Sequence, residues 1–335
     1  MNKLKARNIF SFFTFTTAMV TLATLASCSK DDATPSIQRD VYVAGQEYNG
    51  ENDVAKYWKN GTPIDLTDGT HKASATSIVV IDDDMYVAGN ESNGSNTVGK
   101  YWKNGTVVEL TDGTNDAYVA SIFVAGSDVY VAGGEGKVAK YWKNGTAVDL
   151  TDGTKPASAN SIFVVGADVY VAGKESDGTK SVAKYWKNGT AVPLSGLVAN
   201  SIFVAGSDVH VVGGEYDEDE NYVAKYWKNG EDVGLSDGYS ATSIFVAGSD
   251  VYIAGYAYDG NMMESKYWKN GVAVTLTSSN GGGGIGSIFV IDKDVYVAGS
   301  EPKNSYYVAT YWKNGETVNL TDSSSHANAS SIFVK

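Results

Sequence analysis

The pentapeptide Tyr57-Trp58-Lys59-Asn60-Gly61 constrains this chain more than any other feature, because it returns six times. Its tryptophan recurs as Trp102, Trp142, Trp186, Trp227, Trp268 and Trp312, and these seven are all the tryptophans in 335 residues. The steps between them are 44, 40, 44, 41, 41 and 44 residues. A unit of that size cannot bury its own apolar face and must stack on its neighbours. Periods of about 40–45 residues point to a β-propeller, in which each repeat is one four-stranded blade. An all-β fold is predicted.

Residues 121–154 form the cleanest unit. Residues 121–125 are β-rich, Gly126-Ser127-Asp128 is a turn cluster, and residues 129–133 and 138–143 read as the second and third strands. Asn144-Gly145 supplies the two left-handed residues of a type I′ hairpin turn. Residues 146–151 follow, with Val148 and Leu150 alternating around Asp149, as expected of an outermost strand with one face in solvent. Ile122-Phe123-Val124 and Val129-Tyr130-Val131 are apolar throughout and predict inner strands buried on both faces. This layout resembles the kelch repeat: two strands ending in glycine or in a pair (Gly133-Gly134, Gly213-Gly214), a loop, then two strands carrying a tryptophan. The resemblance spans residues 41–335 and implies a propeller scaffold. The Tyr-Trp pair is also similar to that of YWTD propellers, but Lys-Asn-Gly stands where that family has Thr-Asp.

The Ser-Ile pair that opens a first strand also occurs seven times, at Ser77, Ser121, Ser161, Ser201, Ser243, Ser287 and Ser331. The repeat region, however, begins at Val41-Tyr42-Val43-Ala44-Gly45, which is a second strand, and ends on residues 331–335, a lone first strand. The two incomplete ends make one blade. Seven four-stranded antiparallel blades are therefore predicted, with strand 331–335 joining the N-terminal strands of residues 41–67.

Residues 1–27 carry Lys3, Lys5 and Arg7 and then an apolar run, the pattern of a signal peptide. Leu25-Ala26-Ser27-Cys28 resembles the lipobox of bacterial lipoproteins, and the resemblance implies that Cys28, the only cysteine, becomes an acylated first residue. Several acyl chains give a stable membrane anchor. Ser29-Lys30-Asp31-Asp32 resembles the surface-export signal of some Gram-negative outer-membrane lipoproteins, a periplasm-facing anchor being the alternative. Residues 28–40 then form a lipidated polar tether. Without residues 1–27 the chain has 23 Lys and Arg against 39 Asp and Glu, a net charge of −16, and Arg39 is its one arginine. A nucleic-acid partner would need clustered cations, so none is expected.

In an up-and-down blade, the turns joining strands one to two and three to four share one face. That face carries the Lys-Asn-Gly turns and aspartates such as Asp128, Asp168, Asp208 and Asp250, which are expected to form exposed ion pairs. The opposite face holds loops of differing length and sequence, where binding residues usually sit. Candidate ligand residues there are Tyr48, Tyr216, Tyr256, Tyr258 and Tyr306. Glu47, Glu91, Glu135, Glu175, Glu215 and Glu301 follow the strand-ending glycines and could ring the channel mouth, whereas Ala257 breaks the series. They hold a cation or amine, or else accept backbone N–H bonds locally; the second reading is preferred.

Chemistry is less legible. Asp217-Glu218-Asp219-Glu220-Asn221 lacks the central glycine and twelfth-position glutamate of an EF-hand. His71, His210 and His326 supply no recognisable metal set, and His210 occupies a tyrosine position of the repeat. The tryptophans recur mid-strand and read as packing rather than sugar platforms. Asn-Gly-Thr at Asn60, Asn104, Asn144 and Asn188 is explained by turn chemistry rather than glycosylation. No catalytic residue, cofactor or metal is assigned. Non-enzymatic binding of a protein or glycan is the expected function; a carbohydrate-active hydrolase or lyase and a structural subunit of a surface complex are the alternatives.

Overall fold

The computed structural model describes residues 39–235, 237–258, 260–276 and 283–335. Cys28, the leader and most of the tether lie outside the described residues. Within them, 28 strands form seven antiparallel sheets of four, each ordered along the chain except the one that closes the ring. In that sheet, blade 1, Ala327–Val334 pairs with Val41–Tyr48, followed by Asp53–Lys59 and Thr62–Asp65; blades 2 to 7 follow in chain order, opening with the strands that start at Ala73, Ala117, Ala157, Val198, Ser240 and Gly284. Two backbone bonds of 2.9 Å between Asp40 and Lys335 extend the ladder to the chain end. Lys335 also donates to the Asp82 carbonyl of the next blade, and Arg39 to Asp292 of the preceding one.

Strand boundaries differ from the sequence reading in two ways. Each first strand starts earlier: Ala117–Ala125 rather than 121–125 in blade 3, and Ala327–Val334 rather than 331–335 at the C-terminus. The extra turn-like residues join the sheet through a β-bulge, which breaks the simple strand pattern. The bulge also dictates the strand-ending glycine. A Cβ on Gly133 would lie 2.0 Å from the Tyr118 carbonyl oxygen, and one on Gly45 1.9 Å from that of Asn328. Fourth strands, by contrast, are shorter and more exposed than the alternation predicts. Thr146–Asp149 is exposed along its length, as the outermost strand of its sheet.

Seven core clusters correspond to seven blade interfaces. In one, Tyr86, Ala88 and Tyr101 of blade 2 meet Ile122, Val131 and Trp142 of blade 3. Every tryptophan is at most 3% exposed, which establishes the packing role predicted for them. The repeated serine has a distinct task. Ser77 Oγ accepts the Ile122 amide of the following blade at 3.2 Å, and the pattern continues until Ser331 accepts that of Ile78. Seven such bonds of 2.9–3.3 Å close a ring through all blades. Inside it, Phe123, Phe163, Phe203, Phe245, Phe289 and Phe333 touch in succession at 4.6–5.1 Å between ring centroids. These phenylalanines are half-buried or nearly so, and thus first strands are not apolar on two buried faces as the sequence suggested; one face gives onto the axis.

Candidate functional site

The hairpin face spends its polar groups on itself. Asn144 and Gly145 adopt φ of 50° and 82°, as the type I′ turn requires. Asn144 Oδ1 accepts the Val129 amide at 2.8 Å, while its Nδ2 donates to Asp128 at 2.9 Å. Lys143 Nζ is 2.8 Å from Asp128 and 5.2 Å from the Tyr130 ring centroid. Hydrogen bonds from Lys143 and then Asn144 hold the Asp128 carboxyl below its ordinary pKa. Six blades repeat this lysine–carboxylate–tyrosine arrangement, with ring distances of 5.1–5.4 Å. Blade 5 is the exception: His210 stands in the tyrosine position and meets the Tyr226 hydroxyl at 2.8 Å.

The glutamates are also paired, but with a partner the sequence reading did not name. Glu47, Glu91, Glu135, Glu175 and Glu215 each meet the lysine two residues before the tryptophan of their own blade, at 2.5–2.9 Å. The expected backbone amides are replaced by an ammonium because the third-strand lysine lies between blades and needs a counter-charge there. Lys140 is only 8% exposed. Burial opposes its charge, yet the Glu135 hydrogen bond and nearby Asp149 raise its pKa on balance. In blade 6, where Ala257 interrupts the series, Glu264 pairs with Lys266 at 2.7 Å. In blade 7, Thr310 replaces the lysine and Glu301 accepts the Trp312 indole N–H at 3.1 Å.

The predicted tyrosines fall into two places. Tyr48 and Tyr306 lie at the seam between blades 7 and 1, where Tyr48 donates its amide to the His326 carbonyl and the Tyr306 ring meets that of His326 at 5.1 Å. A seam cavity of about 550 Å³ is lined by Gln46, Asp53, Ser300, Tyr307, His326 and Asn328, among others. Tyr216, Tyr256 and Tyr258 gather instead at blades 5 and 6, together with Tyr222 and Tyr239. Tyr216 and Tyr222 face each other across their hairpin, with centroids 5.4 Å apart and planes at 79°. Tyr239 continues the row, 5.5 Å from Tyr222.

Local chemistry explains this gathering. Asp217 Oδ1 accepts the amides of Asp219 and Asn221, which folds the acidic loop back on itself. A Cβ on Gly214 would come within 2.5 Å of the Tyr222 ring, so the second glycine of that pair makes room for the ring. Tyr256 differs from the others: its hydroxyl accepts the Ile285 amide of blade 7 at 2.5 Å, making it a blade-to-blade tie whose ring still lines the cleft. Tyr216 and Tyr258 are 60% and 56% exposed. The rings divide two adjoining recesses of about 410 and 470 Å³. Met263 and Ser240 complete the first; Glu220, Asn221 and Asp237 rim the second. Sequence reasoning passed over Asp237, which repeats Asp68, Asp112 and Asp152, and Tyr239, which stands where those repeats have Thr70, Thr114 and Thr154. Tyr222 was legible as the mirror of Tyr216 across the acidic loop. Among the described residues no cluster of three metal-ligating side chains occurs, and no helix is long and apolar enough to cross a membrane.

No protein-family model matches the chain, and no curated protein matches it in sequence. Solved structures do match in fold. The β-propeller domain of the Trilobed protease from Pyrococcus furiosus, described as having an open velcro topology, superposes with a TM-score of 0.51 at 13% identity over 85% of this chain and 94% of that one. A puromycin-hydrolyzing peptidase of Mycobacterium tuberculosis gives 0.52 at 10% identity over 75% of this chain, which spans about half (47%) of the peptidase. Kuenenia stuttgartiensis hydrazine synthase gives 0.51 at 10% identity, with 89% and 47% covered. At such identities the likeness establishes the fold alone: this chain is a seven-bladed β-propeller, closed by hydrogen bonds between its two end strands.

Proposed function

We propose that this propeller is a non-enzymatic binding protein that takes a glycan in the tyrosine cleft of blades 5 and 6. The observation that carries the reading is the row Tyr216–Tyr222–Tyr239, with Tyr216 and Tyr258 largely exposed on the variable-loop face. Aromatic rings offer flat apolar area at low entropic cost, with a hydroxyl for hydrogen bonding. Asn221, Glu220 and Asp237 add acceptors suited to sugar hydroxyls at the rim. The Leu-Ala-Ser-Cys sequence supports anchoring through acylated Cys28 to the outer membrane, with the propeller facing outward.

A glycan-array screen of soluble residues 29–335, with Tyr216→Ala/Tyr258→Ala beside it, tests the reading. Saturable binding that the double variant loses is expected. A clean negative on the array, with a crosslinked protein captured on intact cells, would replace the glycan with a protein partner. For the anchor, labelled palmitate should enter the wild-type chain and not Cys28→Ala; label in both would remove the lipid.

A further inference from the structure

Resting on that reading, we infer that the glycan carries free amines: a hexosamine polymer whose ammonium groups sit between the cleft's tyrosine rings and the carboxylates of Glu220 and Asp237.

The molecule itself displays the recognition chemistry. Six times over, an ammonium is held against a carboxylate and about 5 Å from a tyrosine ring, as Lys143 is by Asp128 and Tyr130. The five carboxylates after the strand-ending glycines have a lysine as well. In the cleft the same two components are present and the third is missing. Tyr216, Tyr222, Tyr239 and Tyr258 adjoin Glu220 and Asp237, and among the described residues no lysine or arginine lines either recess. Neither carboxylate takes part in an ion pair or side-chain hydrogen bond recorded among the described residues, although the chain carries 26 Lys and Arg. Ring faces and carboxylates are both negative, so an anionic sugar is repelled and a cationic one is drawn in. The net charge of −13 works in the same direction at longer range.

The row of rings also fits an oligomer better than a lone amine. Tyr216, Tyr222 and Tyr239 border both recesses, each of which has the volume for a sugar-sized group. Successive sugars can lie against successive rings while an amine in the second recess meets the carboxylates.

Calorimetry of residues 29–335 with a glucosamine oligomer and its fully N-acetylated counterpart tests this. The expected result is about five- to tenfold tighter binding of the free-amine oligomer, the joint worth of an exposed cation–π contact and an exposed ion pair. In Glu220→Gln/Asp237→Asn that preference should fall to about twofold, the share of the rings, while the acetylated oligomer binds as before. Equal binding of the two oligomers to the wild type would overturn the ammonium inference and leave glycan binding standing. Failure of both, with a lysine-rich peptide bound instead, would overturn the inference and the glycan reading together.

Discussion

Blades 3 and 5 are cut to the same four-strand plan and differ in what they leave unspent. In blade 3, Lys140 lies between Glu135 and Asp149, Lys143 between Asp128 and Tyr130, and the Tyr118 hydroxyl accepts the Ala159 amide of blade 4. Blade 5 keeps the core and loses part of the rim. Its fourth strand shrinks to Glu231–Asp232, and after Asp237-Gly238 the blade places Tyr239 where blade 3 has Thr154 after Asp152-Gly153. Where the repeat is regular, polar groups are consumed within the blade or by the next one; where it lapses, rings and carboxylates are left for something else.

The shared part of the comparison predicts the largest effects. Trp142→Ala and Trp227→Ala each remove an almost fully buried ring and should cost about 4 kcal/mol. Urea midpoints should fall by similar amounts, and a much smaller loss in blade 5 would mean that its core is not equivalent. The second glycine of each pair separates the blades. A Cβ on Gly134 meets the Val138 carbonyl oxygen at 2.9 Å as well as the Tyr118 ring, so Gly134→Ala should cost about 2 kcal/mol. On Gly214 the nearest atoms all belong to the movable end of Tyr222. Gly214→Ala should cost under about 1 kcal/mol yet displace Tyr222 and weaken ligand binding. Equal destabilisation in the two blades would erase the distinction. Asn144→Ala comes next: it puts an alanine at φ 50° and strips the Val129 amide of its acceptor, at a cost of about 1–2 kcal/mol. Asn144→Gly should recover part of that loss.

How much of this could be read from sequence follows from what repeats. Seven tryptophans at a constant spacing, and end strands that complete each other, announce seven closed blades without reference to any contact. The Asn-Gly turn carries its own geometry, so the hairpin face was legible down to its ion pairs. The partner of Glu135 was not, because the contact runs diagonally across the hairpin of the second and third strands, where Lys140 lies opposite Gly133 and Glu135 opposite Val138. Ser121 repeats as plainly as Trp142, but its acceptor role crosses to the next blade and has no signature within one repeat. At the candidate site, exposed loop tyrosines could be picked out by position, yet Tyr256 looks the same in sequence and ties blades together. Tyr239 replaces the threonine seen at Thr70, Thr114 and Thr154, a change the repeat exposes, but its contact with Tyr222 belongs to the folded loop and has no signature in the repeat.

His210 supplies the finest test of the difference between blades. It occupies the place of Tyr130, is 4% exposed and touches Tyr226. Burial, and then the nearby Lys228 charge, lower its pKa below the ordinary 6.5. The unfolded chain therefore binds a proton more readily than the native one, and stability rises with pH through this window. The contribution is fully present above about pH 6.5 and is lost as the pH falls toward the native value. Asp128 and its counterparts titrate below 3.8, outside that range. In His210→Tyr the group is gone, and the tyrosine enters a site that already holds one in six other blades. Urea midpoints measured between about pH 7.5 and 5 should decline more steeply for the wild type than for His210→Tyr. Parallel declines would mean that His210 accepts its proton within the fold, and that this departure in blade 5 is neutral packing rather than a titrating weak point.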